Sequence, residues 1–275
     1  MSQNAKNYYL PSPSLWPLIA SIALFLMASG FAMFLNKIEP GQYVLITGFL
    51  VLAYLMYGWF SEVIRESIAG FFNKQVDRSF RWGMGWFIFS EVMFFFGFFG
   101  ALFYARNVSV PWIADAQLLW PGFVATWPTA GPGIELTGTM GAWGLPAINT
   151  LILLTSGATL TWAHWGLMKN NRQQLTIGLV LTVLLGAAFL FLQAHEYAEA
   201  AFTIKTGIYG TTFYMLTGFH GLHVTMGAIM LAFILLRVIK GHFDAKNHFA
   251  FEAVAWYWHF VDVVWLFLFI FVYWL

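Results

Sequence analysis

The run Leu15-Trp16-Pro17-Leu18-Ile19-Ala20-Ser21-Ile22-Ala23-Leu24-Phe25-Leu26-Met27-Ala28-Ser29-Gly30-Phe31-Ala32-Met33-Phe34-Leu35 carries no charged side chain. At 1.5 Å of rise per residue, about 20 such residues span the roughly 30 Å of hydrocarbon in a bilayer. The stretch therefore reads as a transmembrane helix. Six more runs of the same kind follow: Tyr43 to about Arg65, Trp82 to Tyr104, about Gly144 to Met168, about Leu175 to Tyr197, Thr211 to Leu236, and about Phe251 to Leu275. The fold class expected is an all-α integral membrane protein of seven spans.

Composition agrees with that pattern. Of the 275 residues, 60% are hydrophobic and 9% are charged, with 30 Phe, 14 Trp and 11 Tyr and a mean hydropathy of +0.71. Soluble chains carry about 25% charged residues, so a water-facing shell cannot be built from this sequence, and a soluble enzyme or a disordered chain is excluded. A net charge of +1 gives no electrostatic basis for nucleic-acid binding. With no cysteine, disulfides, thiolate zinc sites, iron–sulfur clusters and cysteine nucleophiles are all ruled out.

Orientation follows from Lys and Arg, which concentrate on the cytoplasmic side of short loops. With the N-terminus inside, Lys6, Arg65, Lys74, Arg78, Arg81, Lys169, Arg172, Arg237, Lys240 and Lys246 fall on the inner face, and Lys37, Arg106 and Lys205 fall outside. This asymmetry predicts an external C-terminus. The tail Met1 to Ser14 lacks the order of a signal peptide. The long connection from Arg106 to Trp143, with Pro111, Pro121, Pro128, Pro132, Trp112, Trp120 and Trp127, is expected to fold over the membrane surface as turns with aromatic anchors. No internal repeat of the kind that builds carriers is seen.

Polar residues inside the spans are the candidates for function. Glu91 lies near mid-span, where an acid costs on the order of 2.5 to 3.5 kcal/mol. No cation stands within one helical turn of it, so it is either protonated or paired with another helix. It is read as a buried structural carboxyl, a proton-handling group or a lipid-facing group. His220 and His223 share one helix, as do His259 and Asp262, each pair three residues apart. They are read as a structural polar network, with a metal cage as the competing reading, although zinc helices favour i, i+4 spacing and di-iron bundles need Glu-x-x-His. His195, Glu196 and Glu199 read as solvated residues of the outer interface, and His164, between Trp162 and Trp165, as an aromatic-belt residue. No catalytic residue and no metal site is assigned.

Several of these segments resemble cytochrome c oxidase subunit 3. They are Phe219-His220-Gly221-Leu222-His223-Val224 and the run from Trp256 to Leu268, with Val63-Ile64-Arg65-Glu66-Ser67, Ser90-Glu91-Val92-Met93-Phe94-Phe95, Thr161-Trp162-Ala163-His164 and Phe249-Ala250-Phe251-Glu252. Gly58-Trp59-Phe60 departs from the adjacent Trp residues found in many members. The resemblance implies helices 1 and 2 (residues 1–66 with the tail) splayed from a five-helix bundle (67–275), with a phospholipid-filled cleft between them. It also implies a subunit without haem or copper of its own, packed on subunits 1 and 2, which hold those groups, reduce oxygen with electrons from cytochrome c and pump protons. In that setting the subunit stabilises the catalytic core and supports proton uptake.

Lipid contacts are expected at Trp59, Phe60, Arg65, Glu66, Arg237 and Lys240. The expected membrane is the bacterial plasma membrane, with the mitochondrial inner membrane as the alternative. The competing readings are a subunit 3 of a quinol oxidase, which is usually two spans shorter, a self-sufficient membrane metalloenzyme, and a proton-coupled carrier using Glu91.

Overall fold

The computed structural model describes residues 9–275. Lys6, counted above on the inner face, and the rest of the tail before Tyr9 lie outside the described residues. Among the described residues, seven helices are long and apolar enough to cross a membrane. They are α1 (Trp16–Leu35), α2 (Gly41–Ile68), α3 (Lys74–Tyr104), α5 (Leu145–Met168), α6 (Arg172–Glu199), α7 (Gly207–Ile239) and α8 (Phe249–Leu268). A short α4 (Val110–Asp115) follows α3 through a π-helical turn at Ala105–Ser109, and α8 closes in a second π turn, Phe269–Trp274.

The third span corrects the sequence reading at both ends. Charged Asp77, Arg78 and Arg81 do not delay the helix, because Asn73 Oδ1 accepts the N–H groups of Gln75 and Val76 at 3.0 Å and starts it at Lys74. Beyond Tyr104 the chain stays helical to Asp115. Pro111 is tolerated there because the wider π turn ends just before it, so its missing N–H falls at the first turn of α4. The non-helical connection is thus 116–144. It is anchored on protein: Ile208 N–H donates to Ala130 O, Tyr209 N–H to Thr129 O, and the Trp127 ring packs 6.0 Å from Tyr209. Trp112 and Trp120 are exposed, while the exposed Trp143 ring also meets Trp274.

The described residues divide into two compact units, one ending at Phe80 and the other Arg81–Leu275. In the first, α1 and α2 form an antiparallel hairpin whose backbones touch. A Cβ at Gly30 would collide with the Leu45 main chain, so the close approach depends on glycine there. The hairpin's end is tied by polar contacts: Trp16 Nε1–H donates to Glu62, and the Tyr9 hydroxyl donates to Glu66 Oε1 at 2.7 Å. That bond to a carboxylate pushes the Tyr9 phenol above its ordinary pKa.

In the second unit, α5 to α8 pack around the buried indoles of Trp258 and Trp265, with Phe189, Phe213 and Phe251. Each indole N–H reaches across to α5, Trp258 to Ser156 Oγ and Trp265 to Thr150 Oγ1, both at 2.9 Å. Thr159 and Thr182 join α5 to α6 through their hydroxyls at 2.8 Å. In lipid, where burying apolar surface gives helices little reason to associate, such bonds and close packing hold a bundle together.

Candidate functional site

The polar groups of the Arg81–Leu275 unit fall into several separate clusters. The first answers the question posed by Glu91. Its Oε2 lies 2.8 Å from His223 Nε2, so α3 and α7 are joined at mid-span. The other ring nitrogen, Nδ1, is 2.6 Å from Phe219 O, one turn earlier on α7, and can only donate to that carbonyl. One proton therefore lies between Glu91 and His223. Either the acid carries it and donates to Nε2, or the ring carries it and the contact is ionic. The pair is partly covered, with Phe94 and Phe95 against the imidazole and Tyr257 stacked on it at 6.4 Å.

The second cluster involves His220, which shares a helix with His223 yet points elsewhere. Its ring is fully buried between Phe189 and Trp265, and Nε2 donates to Val261 O at 3.2 Å. His259 and Asp262 form the third, on the side of α8 that faces α5. Nδ1 of His259 is 3.5 Å from Asp262 Oδ2, and Nε2 is 3.4 Å from Thr161 Oγ1. Asp262 reaches this position because Gly157 has no side chain; its Oδ2 occupies the space a Cβ would fill. His220, His223 and His259 thus turn to three different neighbours, and the structure does not bring the two sequence pairs together around one point.

The C-terminal ends of α6 and of α8 with its π turn hold the fourth cluster, which differs from the sequence reading. His195 and Glu199 are exposed and pair at 3.2 Å, as solvated interface residues do. Glu196 does not: it is 1% exposed and accepts the Tyr273 hydroxyl at 2.8 Å. The reason is helical phase. Glu196 follows Phe189 and Gln193 on the inward face of α6, whereas His195 and Glu199 sit on the outward one. Gln193 Nε2 in turn donates to Thr217 O, and the Tyr197 hydroxyl to Thr217 Oγ1, so this end of the bundle is tied by a polar net. The buried positions of the 3.6-residue period were the available signal.

His164 also departs from the aromatic-belt reading. It is half-buried, its ring 5.3 Å from Phe251 and 5.8 Å from His248. Glu252, which sequence reasoning gave no role, lies between these imidazoles and the guanidinium of Arg81, with which it forms an ion pair.

The residues expected to meet lipid lie in separate units. Trp59 and Phe60 stack on one another with both rings about half exposed, Arg65 is exposed, and Glu66 is taken up by Tyr9. At the end of α7, the Arg237 guanidinium lies 4.4 Å over the Phe243 ring and Lys240 is exposed. His242 beside them is held below the ordinary histidine pKa, first by partial desolvation and then by the charges of Arg237 and Lys240.

These features define a class: a polytopic helical membrane protein whose intramembrane acids and imidazoles are engaged by protein groups, Glu91 with His223 across two helices, Glu196 with Tyr273, His220 with a backbone carbonyl and His259 with Asp262 on one helix. The model of the family described as cytochrome c oxidase subunit III matches residues 6–275. Curated relatives named cytochrome c oxidase subunit 3 are similar over the full length. That of Prototheca wickerhamii is 46% identical over 267 residues, covering 97% of this chain and 96% of its own. Those of Oncorhynchus mykiss and Danio rerio are 44% and 43% identical over 275 residues, covering all of this chain and 99% of theirs. The chain belongs to the cytochrome c oxidase subunit III family.

Proposed function

We propose that this chain is a non-redox accessory subunit of an oxygen-reducing, proton-pumping cytochrome c oxidase of the respiratory chain. It packs beside subunits 1 and 2, which in this reading hold the haem and copper. The observation that carries the proposal is the family match over residues 6–275. The side-chain geometry supports a non-redox role, since His220, His223 and His259 are each turned to a different protein partner and converge on no common point. Inner and outer faces follow the Lys and Arg asymmetry, with the N-terminus inside, in a bacterial plasma membrane or a mitochondrial inner membrane.

Two further roles belong to the same reading. Phospholipid head groups settle at Arg237 and Lys240, with acyl chains along the exposed apolar side of α7 that includes Phe233 and Leu236; Trp59 and Phe60 offer a second acyl surface on α2. Glu91 and His223, sharing one proton, support proton supply to the catalytic subunit or hold α3 on α7. The test is depletion of this chain from the assembled oxidase, following oxygen consumption continuously beside the haem spectrum. The expected course is a near-normal initial rate with an intact spectrum, then accelerated inactivation during turnover and weakened proton uptake at high pH. Immediate loss of all activity with the spectrum unchanged would mean that this chain supplies chemistry itself. Activity as durable as that of the intact enzyme would mean that it protects nothing.

A further inference from the structure

At the end of the bundle where α5 finishes and α8 begins, three metal-ligating atoms converge, one ring nitrogen each from His164 and His248 and a carboxylate oxygen of Glu252, all within 4.8 Å of one another. The two separations involving the carboxylate are 3.0 Å from His248 and 3.8 Å from His164. A tetrahedron of zinc bonds about 2.0 to 2.1 Å long places its ligand atoms about 3.3 Å apart, between these two values.

The chemistry of the donors fits as well as their spacing. His248 occupies the position just before α8 and Glu252 stands one turn further on, the i, i+4 relation that puts two ligands on one side of the chain. Nδ1 of His248 lies 3.0 Å from Asp244 O and donates to it, while Nε2 makes a 3.0 Å hydrogen bond with Glu252 Oε1. Metal-bound histidines are oriented in this way, with the far nitrogen held by a carbonyl. Nε2 of His164 is buried and has no hydrogen-bond partner, although it faces the same small volume. Phe251 fixes that ring from the side. Glu252 is positioned through its other oxygen, Oε2, which pairs with Arg81, so that Oε1 is left to face the imidazoles. In the arrangement as it stands, His164 Nε2 has no hydrogen-bond partner, and a cation taking the place of the proton between His248 Nε2 and Glu252 Oε1 brings all three ligand atoms to one centre.

The geometry points to a divalent metal site of the zinc class formed by His164, His248 and Glu252, with water completing the coordination. Two imidazoles and one carboxylate are ligands of borderline softness, suited to Zn2+ and not to Ca2+ or Mg2+, which take oxygen ligands. The Arg81 guanidinium offsets the carboxylate charge, so the site takes an exchangeable ion and not a permanently held one. Occupancy clamps the last turn of α5 to the first turn of α8 and to the connection before it, residues 240–248.

The full-length chain, purified in detergent and stripped with chelator, is titrated with Zn2+ against a chromophoric competitor. The zinc absorption edge of the loaded wild type is recorded in parallel. One equivalent is expected, with two imidazoles and an oxygen in the first coordination sphere. His164→Ala and His248→Ala are each expected to weaken binding by at least about tenfold, and His195→Ala, which alters an exposed imidazole elsewhere, to leave it unchanged. The His248 ring also holds the connection before α8 through Asp244 O, so the wild-type spectrum decides independently of how that variant folds: a coordination sphere without imidazole scattering overturns the site. So does zinc binding that survives both substitutions, or no binding at all.

Discussion

The α1–α2 hairpin and the α5–α8 bundle are built from equally apolar sequence but held together by different means. Within α1 the buried residues are Ala23 and Gly30, and within α2 they are Gly41, Gly48 and Leu55. Contact there is backbone against backbone, and nearly every large side chain, Phe25, Phe31, Phe49 and Tyr54 among them, points outward. In α8, by contrast, Tyr257, Trp258, Phe260, Asp262 and Trp265 are buried, and the indole N–H groups are bonded to a neighbouring helix. Small residues let two helices touch while leaving their surface for lipid or another subunit; large aromatic residues with polar tips lock several helices to one another. The hairpin is thus the part whose order depends most on what surrounds it.

Trp258→Ala probes the bundle side of that contrast and should have the largest effect. The side chain is fully buried, so its loss opens a cavity and strands the Ser156 hydroxyl, at a cost of about 3 to 5 kcal/mol. Thermal unfolding in detergent should fall sharply, with faster hydrogen exchange throughout α5 to α8. Gly30→Leu tests the hairpin. The added side chain meets the Leu45 main chain, costing about 1 to 3 kcal/mol through overpacking. Hydrogen exchange should quicken in α1 and α2 and stay unchanged in α5 to α8; equal quickening in both would erase the distinction between the two units.

A smaller effect is expected where α3 meets α7. Glu91→Ala leaves His223 Nε2 partly buried without its partner, at about 1 to 3 kcal/mol. Glu91→Gln keeps a hydrogen-bonding group of the same shape and should recover most of that loss. A double-mutant cycle with His223→Ala measures the coupling. A coupling energy near zero would mean that the 2.8 Å contact holds nothing.

How much of this was readable beforehand depended on which property carried the information. The spans were legible because length and hydropathy suffice to mark them, and Glu91 stood out because its insertion cost is a property of one residue. The ends of α3 were not, since a hydropathy window takes Asp77, Arg78, Arg106 and Pro111 as stops, while capping by Asn73 and a π turn let the helix pass them. Partners were not legible either. That Glu91 meets His223, or Glu252 meets His164, depends on how each helix is rotated about its axis, and this is set by packing across the whole bundle. Glu196 lies between these cases: hydropathy grouped it with exposed Glu199, although the period running through Phe189 and Gln193 placed it inward.

The smallest expected effect concerns the connection between α7 and α8, outside the apolar spans. The Asp244 carboxylate accepts the backbone N–H groups of Lys246 and Asn247 at 2.7 and 2.8 Å, and these bonds hold its pKa below the ordinary aspartate value. A depressed acid pKa means that the folded connection favours the ionised form. The stabilisation is therefore complete above the pKa of the unfolded chain and is lost as pH falls through the lower, folded value. Asp244 is largely exposed, so solvent screening keeps the effect local. Backbone amides of Lys246 and Asn247, followed as protection factors, should lose protection on acidification while those of α8 beyond Phe251 hold theirs. Asp244→Asn should show the weakened protection already at neutral pH and remove the acid-dependent step. Protection that stays constant down to the unfolded aspartate range and below it in the wild type would show that the turn is held by the chain around it and not by this carboxylate.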